Sequence, residues 1–396
     1  MSFQKFLTES TNEDKLTHLE HAEDHPINAG TAGFEHARRT LNAVSDALQG
    51  KKSPASITTK YDGSPSIVFG HNPENGKFFV ASKSAFNKNP KINYSEKDIE
   101  ANHGHAPGLV SKLKLALQHL PKVAPSEGVF QGDIMHSGVK SKENPEGDVA
   151  VKKGAAHFTP NTLEYSTKTP EETEAASKAK LGVAVHTAYH GPSFAEMKAT
   201  YNAGHDEFGD HPDVHLMNVH HEVDKSKYTP EQQSNFKHHM SEAGKLHTQM
   251  NKEGGYDATE PHTEHIKTYI NRTVREGSYP NSEDYKSHVT ETFQKRADKV
   301  KTDTAKQSKV EEGQKLNDHV DANKKHFDTL WDMHHHLQSA KNELVGALAS
   351  HQTYGHHLNG KEAKPEGYVA VINNRPTKLV DREEFSKANF ERNRGE

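Results

Sequence analysis

Apolar positions along this chain switch between two spacings, and each switch marks a change of structure. Over residues 13–50, Leu16, Leu19 and Ala22 and then Phe34, Ala37, Leu41, Val44 and Leu48 keep the three-to-four-residue period of helices, interrupted by Pro26 and closed by Gly50. From Ile57 the pattern turns to short β-branched and aromatic runs, SIVFG, KFFVAS, GVFQGDIM and LGVAVHTAY. Gly, Pro and Asn separate these runs, which predicts strands. One helix is expected among them, over about residues 109–120, from the spacing of Leu109, Leu113, Ala116, Leu117 and Leu120 before Pro121. Helical spacing returns between residues 193 and 360. Thr229, Pro230 and Gln232 predict a capped start, after which Phe236, Met240, Ala243, Leu246 and Met250 share a face. Further stripes run through Tyr285, Val289, Phe293, Ala297 and Val300, and through Leu330, Leu337, Leu344 and Ala347. Strand patterns come back only at the end, in EGYVAVI and TKLVD.

The expected fold class is therefore α+β, in four pieces. They are an N-terminal helical segment (1–52), a sheet-rich segment (53–192), a helical insertion (193–360) and closing strands (361–396) that return to the sheet. Only 31% of the 396 residues are apolar and the mean hydropathy is −0.96, so much of the chain must be solvent-facing helix or loop around local cores. Fifty basic and 55 acidic residues leave a net charge of −5, which argues against general coating of nucleic acid or membrane and requires a local basic patch for any polyanion. With no cysteine, disulfides, thiolate catalysis and zinc ribbons are excluded, and a reducing compartment fits. There is no apolar run of membrane-spanning length and no secretory pattern in MSFQKFLTES, so a soluble protein with no membrane partner is expected.

The sharpest chemical signal is TTKYDGSPSIVFG, residues 58–70, where a lysine ending one apolar strand is followed by an acid, a glycine turn and a second strand. Taken alone, it also suits an ordinary strand turn with an exposed ion pair. It resembles motif I, K-x-D-G, of the ATP-dependent ligase and capping-enzyme superfamily, and further strings resemble that family's later motifs in the same order. KFFVASKSAF resembles motif Ia, with Lys83 in the basic place. GVFQGDIM resembles motif III, with Asp133 where most members have Glu. KLGVAVHTAYHG stands in the place of motif IIIa, with His186 instead of the usual acid. PEGYVAVI resembles motif IV of phage RNA ligases and carries Glu366, and TKLVD resembles motif V and carries Lys378.

The resemblance implies an antiparallel-sheet nucleotidyltransferase (adenylation) core. In it Lys60 would displace pyrophosphate from ATP to form a lysyl-AMP. Lys378 would stabilise the α-phosphate and Glu366 would hold Mg2+. Asp62, Gly63, Lys83, Asp133 and His186 would bind the nucleotide, with Gly63 letting the backbone approach it. The AMP would then pass to a 5′-phosphate that a 3′-hydroxyl attacks. The implied partner is single-stranded or nicked nucleic acid, with RNA favoured over DNA, and the implied role is strand repair in an infected bacterial host. Two departures bear on this. Leu379 and Val380 follow Lys378 where the family often has a second lysine, and only 18 residues follow Lys378.

Three other features carry alternatives. The 31 histidines include HLEHAEDH, where His18, His21 and His25 either share a metal-binding helix face or are solvated, and the run His334, His335, His336, whose side chains point apart on a helix. Lys77, Lys83, Lys88 and Lys91 beside Phe86 and Tyr94 suit either a single-strand-binding lip or a solvated loop. The start resembles the capsid-targeting leaders of phage internal head proteins, with Leu7, Thr8 and Glu9 at the processing place; a small docking helix suits it too. Hence two rivals stand beside ligation: a packaged phage internal or binding protein on a ligase-like scaffold, and nucleotidyl transfer to another acceptor such as an RNA cap or a protein.

Overall fold

The computed structural model describes residues 19–382, except 143, 202 and 204. The leader-like start and Leu16 lie outside the described residues. The fold is α+β, and the chain divides into two compact units, each assembled from separated stretches of sequence.

The first unit gathers residues 56–222 and 351–376. Its strands, in chain order, are β1 (Ser56–Lys60), β2 (Ser66–His71), β3 (Phe78–Ala81), β4 (Val129–His136), β5 (Ala150–Lys152), β6 (Ala155–Phe158), β7 (Glu164–Thr167), β8 (Leu181–His190), β9 (Lys198–Thr200), β10 (Val214–Leu216), β11 (Tyr354–Leu358), β12 (Lys361–Glu362) and β13 (Gly367–Ile372). The largest sheet has the order β10-β8-β4-β2-β3, with β9 also on β8, and only the β8–β10 pair is parallel. Strand alternation sends Ile67, Phe69, Ile134 and Val183 to one face, where Val110, Leu113 and Ala116 of the helix Pro107–His119 cover them. Val68, Phe79, Val129 and Tyr189 point to the other face and pack with Phe194 and Met197. A second sheet has the order β12-β11-β7-β6-β5. β1 pairs antiparallel with β13, so that Lys60 stands opposite Gly367, while the other side of β1 is bonded by residues 219–221.

The second unit gathers residues 20–55, 223–350 and 377–382. The helices Pro230–Glu253 and Lys324–Leu348 pack together, joined by His25–Leu48. Tyr269, Tyr285, Phe327 and Trp331 fill a local aromatic core. Thr229 and Gln232 form the expected capping box, and Gly254, at φ 70°, ends that helix in the left-handed conformation its carbonyls require.

Several expectations shift. Pro26 does not interrupt a helix: it sits in the first turn of His25–Leu48, where its missing N–H costs nothing, and the kink falls at Ala29 and Gly30. The helices expected over 193–360 run over 230–348, because residues 198–200 and 214–216 are short strands of the large sheet and 354–358 is a strand of the second sheet. The N-terminal helix belongs to the same compact unit as those helices. His247 replaces Leu246 in the buried stripe of Pro230–Glu253, its ring stacked on Phe34 with centroids 4.0 Å apart.

Candidate functional site

Strand β1 ends at Lys60, and the chain then turns through Tyr61, Asp62 and Gly63 into β2. The Lys60 amine points to the partner strand's entry: Nζ donates to Glu366 Oε1 at 2.5 Å, across 306 residues of sequence. Because Lys60 is registered against Gly367, Glu366 stands one residue outside the ladder, where its side chain reaches the amine. The Lys60 side chain keeps 29% of its exposure and that of Glu366 only 12%, so the pair opens to solvent from the lysine side.

Asp133 and His186 lie on neighbouring strands of the large sheet. The β4–β8 pairing steps from Gln131–Thr187 to Gly132–Val185, which leaves His186 as the extra residue of a bulge. The bulge brings His186 Nε2 to 3.6 Å from Asp133 Oδ2, while Nδ1 is bonded to Thr187 Oγ1 at 2.8 Å. Burial pushes the Asp133 carboxyl up. The hydrogen bond and charge of His186, a bond to Ser66 and the charge of Lys60 together outweigh burial and leave it below its ordinary value. Lys60 is thus near enough to act on Asp133.

Gly63 is required by protein packing. A Cβ there would come 2.5 Å from Asp133 Cβ and 2.7 Å from Met135 Sδ, so only a glycine lets the turn after Lys60 lie against β4. Both Asp62 oxygens are engaged. Its Oδ1 accepts from Asn161 Nδ2 at 2.8 Å, and its Oδ2 accepts from the backbone N–H of Thr162 at 2.8 Å and of Leu163 at 3.2 Å. The Asp62 N–H in turn donates to the Tyr165 hydroxyl at 2.6 Å.

Lys60, Asp62, Gly63, Asp133, His186 and Glu366 therefore meet in one unit. Lys83 starts a short 3-10 turn after β3, exposed and without an ion-pair partner among the described residues. Lys378 belongs to the second unit, where its N–H donates to the Glu20 carbonyl at 2.8 Å and it bridges His21. Of the early histidines, His21 is extended rather than on a helix face shared with His25, and His18 lies outside the described residues. Asn161 and Tyr165 escaped sequence reasoning: TPNT reads only as a turn, and nothing in it signals that Asp62, a hundred residues earlier, is its partner.

No helix among the described residues is long and apolar enough to cross a membrane. No curated protein and no solved structure matches this chain. A family model does match it over residues 12–394, nearly its whole length, and so the chain belongs to DUF6267, a family of unknown function.

Proposed function

We propose that this protein is a covalent nucleotidyltransferase of the RNA ligase kind, with Lys60 as the nucleophile. One observation carries the proposal: an amine and a carboxylate from opposite ends of the sequence, Lys60 at the end of β1 and Glu366 just before β13, meet beside Asp133 and the glycine turn. A strand turn with an incidental surface ion pair gives no reason for a half-buried lysine to be held by a mostly buried glutamate.

In the proposed reaction the Lys60 nitrogen attacks the α-phosphorus of ATP, a P–N bond forms, and the bond to pyrophosphate breaks. The ammonium must first give its proton to solvent, which reaches it on the exposed lysine side, while Glu366 stays ionised and orients the amine through the hydrogen bond it accepts. Asp133, kept ionised by His186 and Lys60, is an acceptor for a sugar hydroxyl. Magnesium takes few protein ligands beside substrate phosphates, so a single carboxylate, Glu366, fits as its protein ligand. When bound it would offset charge on the phosphate oxygens. The proposal draws only on residues of the first unit and does not call on Lys378.

The acceptor is proposed to be a 5′-phosphorylated strand end, RNA before DNA, in the cytoplasm of a phage-infected bacterium. Incubation with ATP, Mg2+ and 5′-phosphorylated RNA or DNA bearing a 3′-hydroxyl should yield joined strands. Transfer to a 5′-diphosphate end would indicate capping instead, and transfer to protein would indicate AMPylation. A second reading, a ligase-like scaffold without turnover, is favoured by the single lysine in TKLVD. It predicts nucleotide binding without covalent retention.

A further inference from the structure

The turn between Lys60 and β2 is tied down by a segment that no motif string contains. Asp62 offers two carboxylate oxygens, and three N–H donors occupy them: the Asn161 amide on Oδ1, and the Thr162 and Leu163 backbone on Oδ2. A fourth tie runs the other way, from the Asp62 N–H to the Tyr165 hydroxyl. Tyr165 has no exposed surface and packs against Tyr61 and Phe158, with centroids 5.7 and 5.8 Å away. Burial, the largest influence, holds its hydroxyl well above its ordinary pKa, so it stays protonated while it accepts from Asp62. Tyr61, the residue between Lys60 and Asp62, is itself buried and donates to the Asn218 carbonyl at 3.2 Å.

These ties fix both residues after Lys60 to rigid surroundings. An aspartate that contacts nucleotide needs an oxygen turned toward the ligand, whereas both oxygens here are turned into the 161–163 turn. We propose that Tyr165, Asn161 and the 161–163 backbone are positioning elements for Lys60, and that Asp62 serves as their tie rather than as a nucleotide ligand. The second sheet, through the β6–β7 loop and β7, is then part of the catalytic apparatus. This inference rests on the proposed function for its kinetic consequence, but the clamp itself can be read without any activity.

The physical expectation follows from what each variant removes. Tyr165→Phe keeps the packed ring and deletes the acceptor of the Asp62 N–H. Asp62→Asn replaces one accepting oxygen with an NH2 group that faces N–H donors. Asn161→Ala removes one donor of three and leaves the backbone pair. Reacting groups displaced by about 1 Å lose rate by roughly a hundredfold.

The test combines hydrogen exchange, read by mass spectrometry at Asp62, Thr162 and Leu163, with the rate of covalent nucleotide uptake against ATP concentration; melting curves check that each variant folds. The clamp predicts faster exchange at Asp62 in Tyr165→Phe, and faster exchange at Thr162 and Leu163 in Asp62→Asn. It also predicts that the maximal uptake rate falls about tenfold to a hundredfold in both, with half-saturating ATP unchanged, and falls least in Asn161→Ala. Unchanged exchange in the folded variants overturns the clamp. Faster exchange with an unchanged rate overturns the positioning role, and a rise in half-saturating ATP at unchanged maximal rate makes Asp62 a nucleotide ligand. Wild-type protein that takes up neither ATP nor GTP overturns the proposed function instead, and with it the positioning role, while exchange still decides the clamp.

Discussion

Replacing Gly63 by alanine adds one methyl group where the turn after Lys60 crosses β4. The added carbon would stand 2.5 Å from Asp133 Cβ and 2.7 Å from Met135 Sδ. Carbon atoms in contact rest at about 3.5–4.0 Å, so the turn and β4 must part by about 1 Å. Neither neighbour can yield cheaply: Asp133 Cβ is fixed to the β4 backbone, and Met135 is fully buried. Overpacking of this kind costs roughly 1–3 kcal/mol of folding stability. The same displacement carries Lys60 relative to Glu366 and Asp133. A shift of about 1 Å between reacting groups lowers the rate roughly a hundredfold, equivalent to about 2.7 kcal/mol of barrier. Urea unfolding and the rate of covalent nucleotide uptake, both measured for Gly63→Ala, check these two figures. Gly244→Ala is the control, because it lies within the helix Pro230–Glu253 with open space at its Cβ and should stabilise by up to about 1 kcal/mol without touching uptake. If Gly63→Ala is as stable and as fast as the wild type, the packing of the turn on β4 is wrong.

In the second unit, Lys341 and Glu23 form an ion pair at 2.7 Å with no exposure on either side chain. Lys341→Ala takes the 2.7 Å partner from the buried Glu23 charge, with Arg382 standing 3.8 Å away, and should destabilise by about 3 kcal/mol or more in chemical unfolding. Adding Glu23→Gln to Lys341→Met should recover part of that loss. Acid should weaken both units. Burial, helped by the Lys168 charge, brings His356 down to about 4 in the first unit, and burial with neighbouring histidines does the same for His262 in the second. Each stays neutral when folded but takes a proton when unfolded, so stability is complete above pH 6.5 and declines as pH falls from 6.5 to 4. The decline is on the order of 3 kcal/mol per residue. A pH series of unfolding curves on the wild type and on His356→Asn should show a shallower slope in the variant.

The strands that carry the candidate site were legible because they alternate and are bounded by turn residues. SIVFG, GVFQGDIM, LGVAVHTAY and EGYVAVI each became a strand within a residue or two of the expected bounds. The second sheet was not legible. AVK and AAHF are too short and too weakly apolar to show a period, and YGHHL sets a glycine and two adjacent histidines between Tyr354 and Leu358, which breaks any two-residue alternation. The part of the site that depends on it, Asn161 and Tyr165 against Asp62, was hidden for the same reason. The His186 contact to Asp133 depends on a bulge, and a one-residue change of register leaves no mark in composition. The helical stripes marked Pro230–Glu253, Ser282–Asp298 and Lys324–Leu348, but not Thr263–Glu276 or Asp303–Ala322, nor that residues 20–55 and 377–382 would join them. That grouping is made by long-range contacts such as Thr377 Oγ1 to His25 and His36, both at 3.0 Å.

All of the proposed chemistry turns on Lys60 becoming bonded to a nucleotide. The direct measurement is the intact mass of the purified protein after incubation with ATP and Mg2+, followed by peptide mapping of any added nucleotide. The predicted result is a single AMP on the peptide containing Lys60, reversed by pyrophosphate and absent from Lys60→Ala. An unmodified wild type with either ATP or GTP, or an adduct that persists in Lys60→Ala, would contradict the assignment.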